Sequence, residues 1–212
     1  DLREFFKNYF LIYKPKDVVS GDFYWASKVE DSIIFCVADC TGHGVPGALM
    51  SMLGIAFLRE IVIVEKNVIP SIILDRLRLE VIYALKQRIS PSYGDSKDGM
   101  DISVYNFNMK SKLLQYAGAN NSALVIRNKG NEMLKLAYDK MPVAIHQVFK
   151  PFSNNEIQLY SEDTLYLFTD GYADQFGGPY NKKYMKSKLK KTLHSIVNLP
   201  LNEQKQKLET EI

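Results

Sequence analysis

Alternating apolar and polar positions open the chain. "NYFLIYK", "GDFYWASKV" and "SIIFCVAD" are short runs rich in β-branched and aromatic residues, with Glu30-Asp31 a turn between the second and third, so antiparallel hairpins are predicted. The period then lengthens. "PGALMSMLGIAFLREIVIVE" and "PSIILDRLRLEVIYALKQRI" read as helices, each with a proline, Pro46 and Pro70, where a first turn tolerates one. In the second, Leu74, Leu77, Val81 and Leu85 recur at helical spacing while Asp75, Arg76, Arg78, Lys86 and Arg88 fill the rest, so one face is buried and one is wet. After the polar loop "SPSYGDSKDG", strands return in "MDISVYNFN", "KLLQYAG", "SALVIR" and "EMLKLAY", with a hairpin turn at "NKGN" where Gly130 is free to adopt positive φ. A last strand, "TLYLFTD", leads through "GYADQFGGPYNKK" into two closing helices. Strands, helices, strands and helices in that order predict a layered α+β domain of mostly antiparallel sheet.

The bulk numbers narrow the function. With 212 residues, 46% hydrophobic and 12% aromatic, the chain reads as a single domain over residues 1–212. A net charge of +3 from 27 basic and 24 acidic residues excludes the field of a dedicated nucleic-acid binder. The cysteines, Cys36 and Cys40, are too few for a disulfide framework and lack the other ligands of a zinc site, so a cytoplasmic setting is expected. No apolar run reaches the length of a membrane span, and "DLREFFKNYF" has no signal-peptide core. The chain begins and ends in mid-pattern, which reads as a piece of something longer.

The candidate chemistry gathers around three aspartates, each at a strand end with glycine close by: Asp22 in "VSGDFYW", Asp39 in "VADCTGHG" and Asp170 in "LFTDGYAD". One such carboxylate is ordinarily a turn or helix cap. Three in the same context point to convergence on a metal, and hard oxygen donors without a His or Cys cluster suit Mg2+ or Mn2+. Such a site holds one or two ions bridged by a water whose pKa they depress. Gly42, Gly44 and Gly47 also match G-x-G-x-x-G, but Asp39, Cys40 and Thr41 intervene between strand and glycine and a second helix follows, so dinucleotide binding ranks low. His43 is either a general acid beside the metals or a partner of the turn carbonyls, and the residues alone do not choose. His146 and His194 read as exposed, Cys36 as a buried strand residue and Cys40 as a loop residue. The lysines from Lys182 to Lys191, with Tyr180 and Tyr184 among them, read as a solvated helix face.

Together "YKPKDVVSGDFYW", "VADCTGHGVPGALMSMLG", "DGMDISV", "YAGANNSALVIR" and "LYLFTDGYADQFGG" resemble the bacterial sporulation stage II E type phosphatases, a branch of the metal-dependent (type 2C) serine/threonine protein phosphatases. The resemblance runs from about Phe10 to the final helix. It implies a four-layer α/β/β/α sandwich of two mostly antiparallel sheets flanked by helices. It also implies hydrolysis of phosphoserine or phosphothreonine on a protein by water held between two Mn2+ or Mg2+ ions. Carried over motif by motif, Asp22 reaches the second ion directly or through water, Asp39 bridges both, the carbonyl of Cys40 completes one shell and Asp170 holds the other ion. The implied substrate is a phosphorylated regulator such as an anti-sigma-factor antagonist. The implied parent is a signalling protein with an N-terminal sensor or regulatory domain, membrane-anchored in some cases, although this domain itself is expected to touch neither membrane nor nucleic acid.

The family closes with a further strand bearing a metal-binding aspartate, for which the residues after Asp174 offer no matching motif. The chain is therefore expected to be truncated before that strand, to hold one ion poorly, and to be weakly active or inactive. Ala119 stands where eukaryotic relatives have a carboxylate, so a third ion is not expected there. The alternative to an enzyme is a catalytically inactive phosphatase-like module that binds a partner.

Overall fold

The computed structural model describes residues 2–88, 98–177 and 181–211. The chain falls into two compact units, one formed by Pro15–Ser122 with Ala137–Leu159, the other by Leu2–Lys14, Ala123–Leu136 and Tyr160–Ile212.

The first unit is built on a five-stranded antiparallel sheet. Its strands are β1 (Phe23–Val29), β2 (Ser32–Cys40), β3 (Met100–Asn108), β4 (Leu113–Ala119) and β7 (Asn155–Gln158). They lie in the order β1-β2-β3-β4-β7. Strand alternation separates two faces. On one, Cys36, Ala38, Cys40, Met100, Ile102 and Val104 join the core with Met50, Leu58, Ile73, Leu74, Leu77 and Val81 of helices α1 (Gly44–Arg59) and α2 (Pro70–Ala84). The interleaved residues, Asp39, Asp101 and Ser103 among them, take the other face. The Glu30-Asp31 turn forms as read, with Glu30 at φ 53.

Helix α1 passes into a π-helical turn at Glu60–Val64, closed by the Glu65 N–H on the Glu60 carbonyl at 2.9 Å. The joined helix, Gly44–Val64, is long and apolar enough to cross a membrane, which corrects the sequence reading that no run was. Arg59 and Glu60 interrupt the apolar run without interrupting the helix. Ile61 and Val62 beyond them are buried in the core of this unit.

The second unit contains a three-stranded antiparallel sheet in the order β6-β5-β8, from β5 (Leu124–Arg127), β6 (Glu132–Lys135) and β8 (Thr164–Tyr166). A two-stranded ribbon joins β9 (Phe176–Gly177) to β10 (Lys182–Lys183). Helices α3 (Lys186–Ile196) and α4 (Leu201–Thr210) close the chain as predicted. Their Leu189, Leu193, Ile196 and Leu208 pack with Leu124, Ile126, Tyr166 and Tyr184. The "NKGN" turn forms, with Asn128, Lys129 and Gly130 all at positive φ.

Other strand expectations need correction. Residues 8–14, "NYFLIYK", form no strand; Phe10 and Ile12 pack against the core of the second unit by their side chains. "TLYLFTD" pairs only over Thr164–Tyr166. β7, which reads "NEIQ", has a single apolar residue to reveal it and lies at a sheet edge. Most of the polar loop at residues 90–99, and Tyr180, lie outside the described residues.

Candidate metal centre

In the first unit, register brings two of the predicted carboxylates, Asp22 and Asp39, into one transverse row with Asp101. Phe23 pairs with Ala38, so one step beyond the end of β1 sets Asp22 opposite Asp39. Asp39 in turn pairs directly with Asp101 on β3. Asp101 receives a hydrogen bond from the Asn120 side-chain amide at 3.1 Å. Directly opposed residues of an antiparallel pair point to the same face, so Asp22, Asp39 and Asp101 share the face turned away from α1 and α2. All three are partly buried.

Glycines shape the backbone beside this row. A Cβ placed on Gly21 would lie 2.8 Å from the Gly42 carbonyl oxygen and 3.0 Å from that of Cys40, and one on Gly47 would lie 2.5 Å from the Gly42 oxygen. Only glycine permits so close an approach of three backbone segments. The segment before β1 is fixed as well, since Ser20 Oγ accepts the Asp22 N–H at 3.0 Å and Ser51 on α1 donates to the Ser20 carbonyl at 3.2 Å. On the other side, Thr41 and Gly99 exchange hydrogen bonds through Thr41 Oγ1, the Gly99 N–H and the Gly99 carbonyl, at 3.1 and 3.3 Å.

Cys40 is the last residue of β2 and is buried, not a loop residue as the sequence had implied. Burial first, then the carboxylates of Asp39 and Asp22, push its thiol up to about 12. A neutral thiol is neither nucleophile nor good ligand. The Cys40 carbonyl is then the donor of interest.

These donors fit a hard divalent cation. Among the described residues no three His, Cys, Asp or Glu side chains close on a point as a ready-made cage. Mg2+ asks for less: it is held by one or two carboxylates while retaining several waters. Carboxylates in a row beside a crowded group of carbonyls offer that.

His43 turns its Nδ1 to Asp17 Oδ2 at 3.0 Å and is largely exposed. It occupies the N-cap position of α1 without capping it. The dinucleotide reading fails on topology, because β2 is flanked by antiparallel β1 and β3 and α1 is followed by α2, so among the described residues the glycines sit in no parallel β-α-β unit.

Asp170 belongs to the second unit, where it is exposed at the start of a turn after β8. The turn is closed by the Asp174 N–H on the Asp170 carbonyl at 2.9 Å and by the Gln175 side chain on the Gly171 carbonyl at 3.1 Å. His194 and His146 are exposed as expected, the former with Nε2 2.7 Å from the Gly130 carbonyl. Asp17 and Asp101 are the polar residues that motif reading passed over. Asp101 stood inside the quoted "DGMDISV", and pairing that stretch with β2 in register would have found it.

Comparison with known proteins bears on this arrangement. The family model described as stage II sporulation protein E (SpoIIE) matches residues 30–212. Phosphoserine phosphatase RsbU of Bacillus subtilis (strain 168) is 28% identical over 164 residues, which is 76% of this chain and 44% of RsbU. The chain thus spans less than half the length of that relative. Among solved structures, the SiaA-PP2C domain of Pseudomonas aeruginosa matches with a TM-score of 0.83 and 29% identity, over 95% of this chain and 76% of that one. The RsbU and RsbW domains of Rv1364c from Mycobacterium tuberculosis match with a TM-score of 0.68 and 19% identity, over 91% of this chain and 50% of that one. These likenesses show the type 2C phosphatase fold, the α+β class expected from the sequence.

Proposed function

The chain belongs to the stage II sporulation protein E (SpoIIE) family, and from that premise we propose that it hydrolyses phosphoserine or phosphothreonine on a regulatory protein in a metal-dependent reaction. The observation that carries the proposal is the row itself: Asp39, paired directly with Asp101 and one step from Asp22, beside the glycine-crowded Cys40 carbonyl. The name of the relative RsbU, phosphoserine phosphatase, supports the reaction type.

In the first unit Asp22, Asp39 and the Cys40 carbonyl, and in the second unit Asp170, are the residues that would hold Mn2+ or Mg2+, two ions being expected in the complete domain. Bound there, the ions would lower the pKa of water and neutralise charge on the phosphoryl group. The chain's own part is positional. β2 is paired on both sides, which fixes the direction of the Asp39 carboxylate. The close backbone approach at Gly21, Gly42 and Gly47 keeps the Cys40 carbonyl at hand, and the Ser20 hydrogen bond sets the start of β1 and with it Asp22. With no protein nucleophile needed, the rate rests on alignment and charge. The substrate is a phosphorylated regulator of the anti-sigma-factor antagonist type, and the parent protein a bacterial signalling protein.

The test is Mn2+ titration by calorimetry together with Mn2+-dependent phosphate release from a phosphoserine protein, on the wild type and on Asp39→Asn. The wild type should bind Mn2+ and the variant should lose both binding and turnover. Unchanged affinity in Asp39→Asn would remove Asp39 from the site.

A further inference from the structure

The turn that carries Asp170 is fastened to the end of the chain through aromatic hydroxyls, all within the second unit. Tyr172, two residues past Asp170, donates its hydroxyl to the Leu208 carbonyl on α4 at 2.7 Å. Its ring meets that of Tyr184 edge to face, with centroids 5.3 Å apart. The Tyr184 hydroxyl donates to Glu211 Oε2 at 2.7 Å and, its single proton thus engaged, accepts from Thr192 Oγ1 at 2.8 Å. Lys188 completes the group, 4.1 Å above the Tyr184 ring and 3.4 Å from Glu211. Glu211 is held below the usual carboxylate range, first by the Tyr184 hydroxyl and then, against a smaller opposing effect of burial, by Lys188.

The backbone reinforces the fastening. The Tyr184 N–H bonds the Gln175 carbonyl at 2.8 Å, and the Met185 N–H bonds the Ala173 carbonyl at 2.7 Å. Met185 does so at φ 77 and ψ 138, a conformation that residues with a side chain rarely adopt and that persists only where its surroundings impose it. Lys183 meets Asp174 at 2.7 Å on the same turn.

We propose that Tyr184 is a positioning residue for Asp170, its hydroxyl on Glu211 and its ring against Tyr172 setting the shape of the turn that presents the Asp170 carboxylate. This rests on the reading of Asp170 as a metal ligand. The Tyr184 hydroxyl is not needed to bury its ring, and Glu211 and Lys188 reach solvent without it. Removing the hydroxyl therefore acts on geometry more than on stability.

Tyr184→Phe separates the two. With the ring retained, Mn2+ affinity by calorimetry should fall about fivefold to tenfold, the effect of one lost orienting hydrogen bond. Turnover at saturating Mn2+ should stay within about twofold. Glu211→Gln, which keeps an acceptor for the Tyr184 hydroxyl, should retain most of the affinity. Unchanged Mn2+ affinity in Tyr184→Phe, or a lowered thermal midpoint with affinity intact, would overturn the proposal. Asp170→Asn tells this failure from that of the underlying reading. If Asp170→Asn weakens Mn2+ binding and Tyr184→Phe does not, positioning alone is wrong; if Asp170→Asn leaves binding unchanged, both fall.

Discussion

Asp39 sits inside a ladder, with Asp22 on one side and Asp101 on the other, and every strand in that row is hydrogen-bonded to its neighbour. Asp170 sits in an exposed turn beyond a three-residue strand, held by its own short-range bonds and by side chains that reach α4. Both positions look alike in sequence, a strand running into Asp with glycine close behind, Gly171 directly after Asp170 and Gly42 three residues after Asp39. In the first the main chain does the aiming, and a change must break a sheet to move the carboxylate. In the second the turn is tied by the side chains of Tyr172 and Tyr184, so modest side-chain changes reach it. A carboxylate aimed by side chains can be tuned without loss of fold, where one aimed by a paired strand cannot.

The largest expected effect tests whether both aspartates serve the reaction. Asp39→Asn and Asp170→Asn should each lower kcat/KM for a phosphoserine protein about 10³-fold, the scale on which removal of a group that stabilises transition-state charge is felt. Assay at saturating Mn2+ checks this. A large loss for Asp39→Asn with none for Asp170→Asn would confine the chemistry to the first unit and make the comparison one between a site and a mere turn.

The same contrast explains what could be read in the sequence. β2 was legible because Ile34, Cys36, Ala38 and Cys40 alternate with residues of the other face, and so was Asp39 at its end. Asp101 went unnoticed because its part depends on β3 meeting β2 in one register, a pairing no local pattern encodes. Residues 8–14 have strand composition without a strand partner, since Phe10 and Ile12 gain their burial through side chains alone. The role of Tyr184 was hidden in a lysine-rich run that read as a solvated face, and the lysines are indeed mostly exposed. What decides there is a hydroxyl meeting Glu211 from a distant helix end.

Next in size is Arg78→Ala. Arg78 is 4% exposed, bonds Asp75 at 2.7 Å and lies between the rings of Phe149 and Phe152 at 4.3 and 4.6 Å. Burial pushes its guanidinium down and the Asp75 carboxyl up, so both gain their charge at a cost that the pairing offsets. Asp75 also accepts the Phe152 N–H at 3.3 Å, tying α2 to the segment whose Asp139 bridges Ala119, next to Asn120 and so to Asp101. Loss of the cation should cost about 3 kcal/mol by urea denaturation. A loss below about 1 kcal/mol would mean that the stiff part does not depend on this clamp.

Gly47→Ala sharpens the comparison from the backbone side. The added Cβ meets a carbonyl at 2.5 Å that has no flexible end to yield. A cost of about 2 kcal/mol is expected, with weaker Mn2+ binding as the Gly42 and Cys40 carbonyls shift. Stability lost without any change in Mn2+ affinity would show that the glycine cluster serves packing alone.

The smallest effect is in pH dependence, and each unit supplies a carboxylate for it. Burial works against the charge of Asp139, yet Lys150 at 2.8 Å and the Ser153 N–H at 2.7 Å prevail and its pKa is lowered. In the second unit Glu211 is lowered chiefly by the Tyr184 hydroxyl. A carboxyl whose folded pKa is depressed contributes stability that is fully present above its unfolded value, about 3.9 for Asp and 4.3 for Glu, and is lost as pH falls through the folded value. The stability gap between wild type and Asp139→Asn should therefore be widest near neutrality and narrow below about pH 4. The corresponding gap for Glu211→Gln should follow the same course but be smaller, because Glu211 is the more exposed of the two and solvent screens its pairing with Lys188. Denaturation curves at neutral and acid pH check both. A gap for Asp139→Asn that does not close in acid would assign it to how the amide group fits beside Ser153 and Lys150, and not to charge.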